Sequence, residues 1–152
     1  MERALQDTQS HETMDEEEKY EHAFFYFIKA LRILAMDAEP QCDAEGNFNV
    51  AQELQYEILC GRYVIGKGKL NVSEETAIAA VTSAIEKVPD SALKFAEGHA
   101  SNVKNMRHPA WTPLRAGAAS LLQHLHSRIA ENNAYFHANS IFDAALPEID
   151  GV

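Results

Sequence analysis

Residues 15–36, DEEEKYEHAFFYFIKALRILAM, form the most hydrophobic and aromatic stretch of the chain, and they constrain its fold more than any other segment. On a helix of this sequence, apolar side chains point in nearly every direction: Phe24, Phe25, Tyr26, Phe27, Ile28, Leu31, Ile33 and Leu34. A helix that is apolar on most of its circumference has to be buried on more than one side. We therefore predict a central helix over residues 15–36, surrounded by the other helices of an all-α domain.

Apolar spacing and capping residues predict four further helices, over about residues 49–65, 74–88, 91–105 and 113–131. Pro40 and Gly46 predict a loop over residues 37–49, because proline interrupts helices and glycine favours turns. The predicted caps are Thr13, Ser73, Asp90 and Thr112, with Thr13 and Glu16 forming a capping box. The expected fold is a single-domain bundle of about five helices, with helix–helix packing around residues 15–36.

A short internal repeat predicts one minimal β element. Residues 46–53 and 68–75 share a glycine, an extended apolar residue, a capping position and a helix start. On this pattern Phe48 and Leu70 are expected to pair as a two-stranded β-bridge. The predicted domain boundaries are a flexible N-terminal tail at 1–12, the bundle at 13–137 and a loosely docked C-terminal tail at 138–152.

The charge of the chain is strongly asymmetric. The net charge is −10, and residues 1–60 hold 14 Asp and Glu against 4 Lys and Arg, whereas residues 61–152 hold 9 of each class. Because no segment supplies a basic footprint, direct binding to nucleic acid or to an anionic membrane surface is not expected. No apolar run reaches the roughly 20 residues that span a bilayer, and two cysteines make no disulfide framework. A cytoplasmic protein is the prediction.

The acidic start of the central helix has two interpretations. Acids in a first helical turn are stabilised by the free backbone N–H groups and the helix dipole, so they are in part a helix-start signal. They are also candidate partner-binding residues, and Phe25, within the polar stripe of this helix, and Trp111, in a loop between two prolines, are candidate anchors. The predicted partner-binding set is Asp15, Glu16, Glu17, Glu18, Glu21, Phe25 and Trp111.

Nothing in the sequence forms a catalytic or metal-binding motif. The loops at Gly46 and Gly68 lack the carboxylates of a calcium-binding loop, and no Glu-x-x-His pair occurs. No enzymatic activity, cofactor or metal is therefore predicted. An alternative hypothesis is a bundle that binds a small apolar ligand, or hosts an enzyme site near His99 and Cys60, in a pocket lined by Phe24, Phe27, Tyr63 and His99.

The leading functional hypothesis is a non-catalytic protein-binding module, such as an inhibitor, an immunity-type protein or an adaptor. It engages a basic or nucleic-acid-handling partner protein through the acidic N-terminal half, because complementary charge speeds association and improves specificity. A homo-oligomer, or homodimer, formed through exposed Phe25 or Trp111 is a third hypothesis.

Overall fold

A computed structural model describes residues 14–139 of the chain, which form an all-α fold. Its α-helices are α1 (Glu16–Leu34), α2 (Ala38–Ala44), α3 (Val50–Cys60), α4 (Val72–Glu86), α5 (His99–Met106), α6 (Trp111–His124) and α7 (His126–Asn139). Two 3-10 helices lie at Gly61–Val64 and Asp90–Ala92. The prediction of an all-α protein is confirmed, with seven α-helices in the described residues where about five were expected. The N-terminal tail predicted at 1–12 lies outside the described residues, as does the C-terminal tail apart from 138–139, which end α7.

Helix α1 is the centre of the bundle, as the sequence predicts. It packs against α2, α3, α6, α7 and the first 3-10 helix. Its buried side chains come from several sides of the helix: Tyr20, Phe24, Phe25, Phe27, Ile28, Leu31, Ile33 and Leu34. Burial of this much aromatic and aliphatic surface is the main force that assembles the domain.

The N-terminus of α1 is capped by Asp15, whose Oδ1 accepts a hydrogen bond from the backbone N–H of Glu18 at 2.8 Å. The sequence pattern favoured Thr13 with Glu16 instead, and Thr13 lies outside the described residues. Because Asp15 is the cap, Glu16, Glu17 and Glu18 occupy the first turn, where the free N–H groups and the helix dipole stabilise acids.

Gly61 allows the chain that follows α3 to approach α1 closely. A Cβ at this position would lie 2.1 Å from Cδ1 of Phe27, a fully buried ring. The neighbour at this close approach is a side-chain ring and not another backbone segment. α3 ends here, and the 3-10 helix carries Val64 into the core.

The loop predicted over residues 37–49 instead contains helix α2. Pro40 lies in its first turn, where the backbone N–H has no intrahelical acceptor, so proline costs little there. Helix α2 buries Ala38 and Cys42, and Gln41 donates a hydrogen bond from Nε2 to the carbonyl of Leu34 at 2.9 Å. A short helix of this kind is stabilised by its contacts with α1 and α5.

Several predicted helix ends are wrong by a few residues. α4 begins at Val72, because Asn71 and Glu74 form a capping box in place of the expected Ser73 cap. The helix predicted over 91–105 is a 3-10 turn, an irregular segment and then α5, which starts only after Gly98 at φ 84°. The helix predicted over 113–131 begins at Trp111 and is divided into α6 and α7 at Leu125, which leaves helical geometry and is fully buried.

The predicted bridge between Phe48 and Leu70 is also wrong in its partner. Phe48 forms an isolated antiparallel bridge with Glu97. The backbone N–H of Asn49 donates to the carbonyl of Ala96 at 2.7 Å, and that of Gly98 donates to the carbonyl of Asn47 at 3.0 Å. Proximity in the fold, and not the repeat in the sequence, selects the partner.

The side chain of Asn102 holds together the two chain segments that meet at the Phe48–Glu97 bridge. The side chain is fully buried, and its Nδ2 donates to the carbonyls of Asn47, Ala96 and Gly98 at 2.9, 3.2 and 2.7 Å. Its Oδ1 accepts from the backbone N–H of Val50 at 2.8 Å. One amide thereby joins backbone groups of residues 47–50 to those of residues 96–98, and its hydrogen bonds with Val50 and Ala96 are buried.

None of the helices within residues 14–139 has the length and apolar character required to cross a membrane.

Candidate partner-binding surface

The N-terminal end of α1 presents a cluster of carboxylates, here called the acidic end: Asp15, Glu16, Glu17, Glu18 and Glu21. Asp15, Glu16 and Glu17 are exposed, and Glu18 and Glu21 are half-buried. The ion pair that the described residues place on this cluster joins Lys19 Nζ to Glu16 Oε2 at 3.7 Å, and both side chains are well exposed. An exposed pair of this length contributes little, so the acidic end keeps a strong negative charge.

Glu21 differs from the other members of the acidic end because it connects two helices. Its Oε1 and its backbone carbonyl accept hydrogen bonds from Nδ2 of Asn132 in α7, at 2.8 and 3.0 Å. Burial raises the pKa of the Glu21 carboxyl. Glu21 therefore contributes to helix packing, and Glu16, Glu17 and Glu18 are the acids that are available to a partner.

The acids of α2 are partly neutralised within the chain. Glu39 Oε2 accepts a hydrogen bond from Nη2 of Arg107 at 3.0 Å. His99 lies 3.7 Å from Glu39 and 3.5 Å from Asp43, measured from its Nε2 and Nδ1. Among the acids of residues 1–60, Glu39 of α2 therefore has a cationic partner, Arg107, directly after α5.

Phe25 and Trp111, the two predicted anchors, are both buried within the chain. Phe25 packs edge-to-face on Phe136 of α7, with ring centroids 5.4 Å apart, because α7 covers the side of α1 that the sequence pattern left polar. Trp111 is fully buried at the start of α6. Neither ring is exposed in this structure, so neither presents a surface that could anchor a partner or a second copy.

The four residues predicted to line a ligand pocket are separated by the fold. Phe24 is a core residue, Phe27 is buried and borders a depression that Cys60 also borders, and Tyr63 is partly exposed with Nζ of Lys67 4.0 Å from its ring centroid. His99, which the sequence placed on an inner helix face, is exposed and borders a surface depression with Glu39 and Arg107. Cys60 borders a different depression, between α1 and α3, so His99 and Cys60 do not share a site.

The depression beside Cys60, here called the tyrosine groove, lies between α1, the end of α2 and α3 and has a volume of about 350 Å³. Tyr26 and Tyr56 border it and are 53% and 66% exposed. Two half-buried carboxyl groups, Glu45 and Glu57, lie in its wall and share a hydrogen bond. Lys29 from α1 borders the same groove.

The Glu45 carboxyl of the tyrosine groove holds a proton more tightly than an isolated glutamate does. Burial raises the pKa of Glu45 to about 8, and the hydrogen bond with Glu57 and the negative charge of Glu57 act in the same direction. A neighbouring negative charge makes the ionisation of a half-buried carboxyl more costly. Sequence reasoning missed this pair, because Glu45 was assigned to a loop and only the tertiary structure brings it to α3.

Two exposed phenylalanines form a second aromatic feature. Phe48 and Phe95 are 50% and 60% exposed, and their rings meet edge-to-face with centroids 5.4 Å apart. The sequence pattern placed Phe95 inside a helix, and the irregular segment before α5 turns it outward instead. The Phe48–Glu97 bridge and Asn102 hold this pair in place.

A comparison of the chain with protein-family models, with curated proteins and with solved structures finds no match in any of the three. Its function is therefore argued from its own surface.

Proposed function

We propose that this protein is a non-catalytic protein-binding module that engages a basic or nucleic-acid-handling partner protein through its acidic end. The observation that supports the proposal is the first turn of α1, where Glu16 and Glu17 are exposed, Glu18 is half-buried and Lys19 pairs with Glu16 at 3.7 Å. Neighbouring negative charges repel one another, and a basic partner protein relieves that repulsion when it binds.

The mechanism follows from electrostatics. A negative cluster on a rigid helix attracts a basic protein before contact and orients it, which raises the association rate at low salt. Helix α1 is anchored by the core over most of its length, so the cluster is presented without an ordering cost. A cytoplasmic setting is part of the proposal, since Cys42 and Cys60 are both free thiols.

The test compares partner capture by three forms of the full chain. In the first variant Glu16, Glu17 and Glu18 are changed to Gln, which removes three charges and leaves the Asp15 cap. A matched control changes three exposed acids of the other half, Glu86→Gln, Asp90→Asn and Glu97→Gln. Wild-type and control proteins are expected to retain the same basic protein from native lysate, identified by mass spectrometry, and the first variant is expected to lose it.

The captured protein is then purified and titrated by calorimetry against all three forms. The expected result is at least about tenfold weaker binding by the first variant, with affinity that falls as salt rises. Equal affinity for the first variant and wild type, or a partner with an acidic surface, would overturn the proposal.

A further inference from the structure

The tyrosine groove has the shape and chemistry of a binding site for a cationic side chain. Its volume of about 350 Å³ falls at the small end of the range for ligand pockets. Exposed Tyr26 and Tyr56 border it, and aromatic faces attract cations. Glu45 and Glu57 supply carboxylate acceptors in the same wall. Aromatic faces next to paired carboxylates are complementary to a flat cation that both stacks and donates hydrogen bonds.

We propose that the tyrosine groove binds the guanidinium group of an arginine side chain of the partner, stacked on Tyr26 or Tyr56 and hydrogen-bonded to Glu45 and Glu57. Guanidinium suits this site because it is planar, stacks on aromatic rings and donates two parallel hydrogen bonds to carboxylates. The inference rests on the proposed function in that the arginine belongs to the same basic partner. It adds a second contact, which is more specific than the acidic end.

The charge balance of the groove favours a cation. The other charged and titratable groups that line the groove or act on Glu45 are Tyr26 and Lys29 from α1 and Glu53, Tyr56 and Cys60 from α3. Lys29 is one cation near three carboxyl groups, and its charge lowers the pKa of Glu45 less than burial and the neighbouring glutamates raise it. The proton that Glu45 retains near neutral pH reduces the negative charge of the groove, and a bound cation can take its place.

A guanidinium that enters the groove is expected to displace the proton held by Glu45. Glu45 is then ionised, and the proton is released to solvent. Arginine stays protonated at every pH used here. Binding should therefore tighten as pH rises toward and past the raised pKa of Glu45, which is about 8. A carboxylate on the open surface is already ionised at pH 6 and gives no such dependence.

The test uses Nα-acetyl-L-arginine amide, a single cation with both termini blocked, titrated into the isotope-labelled full chain and followed by NMR chemical shifts. Its matched control ligand is Nα-acetyl-L-citrulline amide, which has nearly the same shape and no charge. Saturable shifts are expected at Ala30, Glu45 and Glu57 with a Kd on the order of millimolar for arginine, and no saturation is expected for citrulline.

Two substitutions locate the site. Glu57→Gln is expected to weaken arginine binding by at least about tenfold. Glu97→Gln changes an exposed acid that does not line the groove, and it is expected to leave arginine binding unchanged. A pH series in a Cys60→Ser background removes the neighbouring thiol, and affinity is expected to be at least about tenfold higher at pH 9 than at pH 6.

Three results would overturn this inference: no saturation by arginine, equal binding of citrulline, or shifts confined to the acidic end. An affinity that does not change from pH 6 to pH 9 would also contradict the exchange of proton for cation. The proposed function is tested separately by partner capture with the Glu16, Glu17 and Glu18 variant. Failure at the groove with capture still dependent on those three acids would reject the arginine site alone.

Discussion

At the scale of single residues, the sequence identifies which side chains are large and apolar but not which neighbours they meet. Phe25 follows a polar stripe on α1, yet it is buried against Phe136 of α7. Phe95 belongs to an apolar pattern, yet it is exposed beside Phe48. Phe25 is buried by another helix, and Phe95 is exposed because its own segment is irregular. Helical periodicity along one segment predicts neither outcome.

Gly61 gives a sharp residue-scale prediction. Gly61→Ala is expected to lower the free energy of unfolding by about 1–3 kcal/mol, because the new Cβ overlaps the buried ring of Phe27 and the ring or the backbone has to shift. The measurement is urea unfolding followed by circular dichroism.

The matched control is Gly117→Ala, within α6, where nothing lies within 4 Å of the added Cβ. This substitution is expected to raise the free energy of unfolding by about 0.5–1 kcal/mol, because alanine is the better helix former. Similar effects of the two substitutions would show that the close packing of Gly61 on Phe27 is not what makes a side chain costly there.

At the scale of helices and their ends, Asp15 separates the two interpretations of the acidic start. Asp15→Ala removes the side-chain acceptor of the Glu18 N–H and is expected to cost about 1 kcal/mol of stability, whereas Asp15→Asn retains an acceptor and should cost only a few tenths. Thermal unfolding measures both variants.

Partner affinity then completes this comparison. If Asp15 serves the cap, both variants keep the affinity of the wild-type chain for the captured protein. Loss of affinity in both, with stability retained in Asp15→Asn, would instead assign the Asp15 charge to the partner.

The junction between α2 and α3 predicts a pH dependence of stability. Burial and Glu57 raise the pKa of Glu45 to about 8 in the folded chain, against about 4.3 in an unfolded one. The folded state therefore binds more protons between these values, and this contribution to stability is present below the lower pKa and is lost as pH rises through the higher one.

Glu45→Gln is expected to remove that loss. The variant should gain stability relative to wild type from pH 5 to pH 8, by about 1 kcal/mol once the half-exposed site is discounted for solvent screening. Denaturant unfolding at several pH values measures the difference, with Glu97→Gln, an exposed acid, as the control. A stability difference between Glu45→Gln and wild type that shrinks with rising pH would contradict the raised pKa of Glu45.

At the scale of the whole molecule, the uneven charge of the sequence is redistributed by the fold. Arg107, which follows α5, and His99 of α5 come from the neutral half of the chain and lie against Glu39 and Asp43 of the acidic half. At the acidic end, Lys19 pairs with Glu16, and Lys69 acts on Glu21. The fold therefore distributes the acids of the first 60 residues among the acidic end, α2 and the tyrosine groove.

Salt is therefore expected to stabilise the wild-type chain. With a net charge of −10, self-repulsion should weaken as the Debye length shortens, and Tm should rise by a few degrees from about 20 mM to about 500 mM NaCl. The variant with Glu16, Glu17 and Glu18 changed to Gln should show a smaller rise in calorimetry. A Tm that falls with salt would show that ion pairs and helix-dipole interactions outweigh the repulsion.

Much of the fold was predictable because its signals are local. The aromatic run of residues 15–36 required burial on several sides, and α1 lies at the centre. α3 and α4 were predicted to within a few residues from their periodicity and caps. Helix α2 was missed because a seven-residue helix with proline in its first turn depends on packing more than on its own propensity.

The candidate site was less predictable than the fold. The acidic end could be read directly from Glu16, Glu17 and Glu18, since they are adjacent in the chain and no packing is needed to assemble them. The tyrosine groove could not be predicted in this way, because Glu45 follows α2, Glu57 lies in α3 and Tyr26 lies in α1. Residues far apart in sequence become a site only through the packing of the helices that hold them.

The sequence by itself determined that this chain is all-α, that residues 15–36 are its centre and that its negative charge lies in the first 60 residues. These properties follow from composition and from spacing along one helix. Tertiary structure alone decided that Phe25 and Trp111 are buried, that Arg107 pairs with Glu39, and that Glu45 meets Glu57 beside two tyrosines. Each of these depends on which helix packs against which, and that choice is made by the free energy of the whole core.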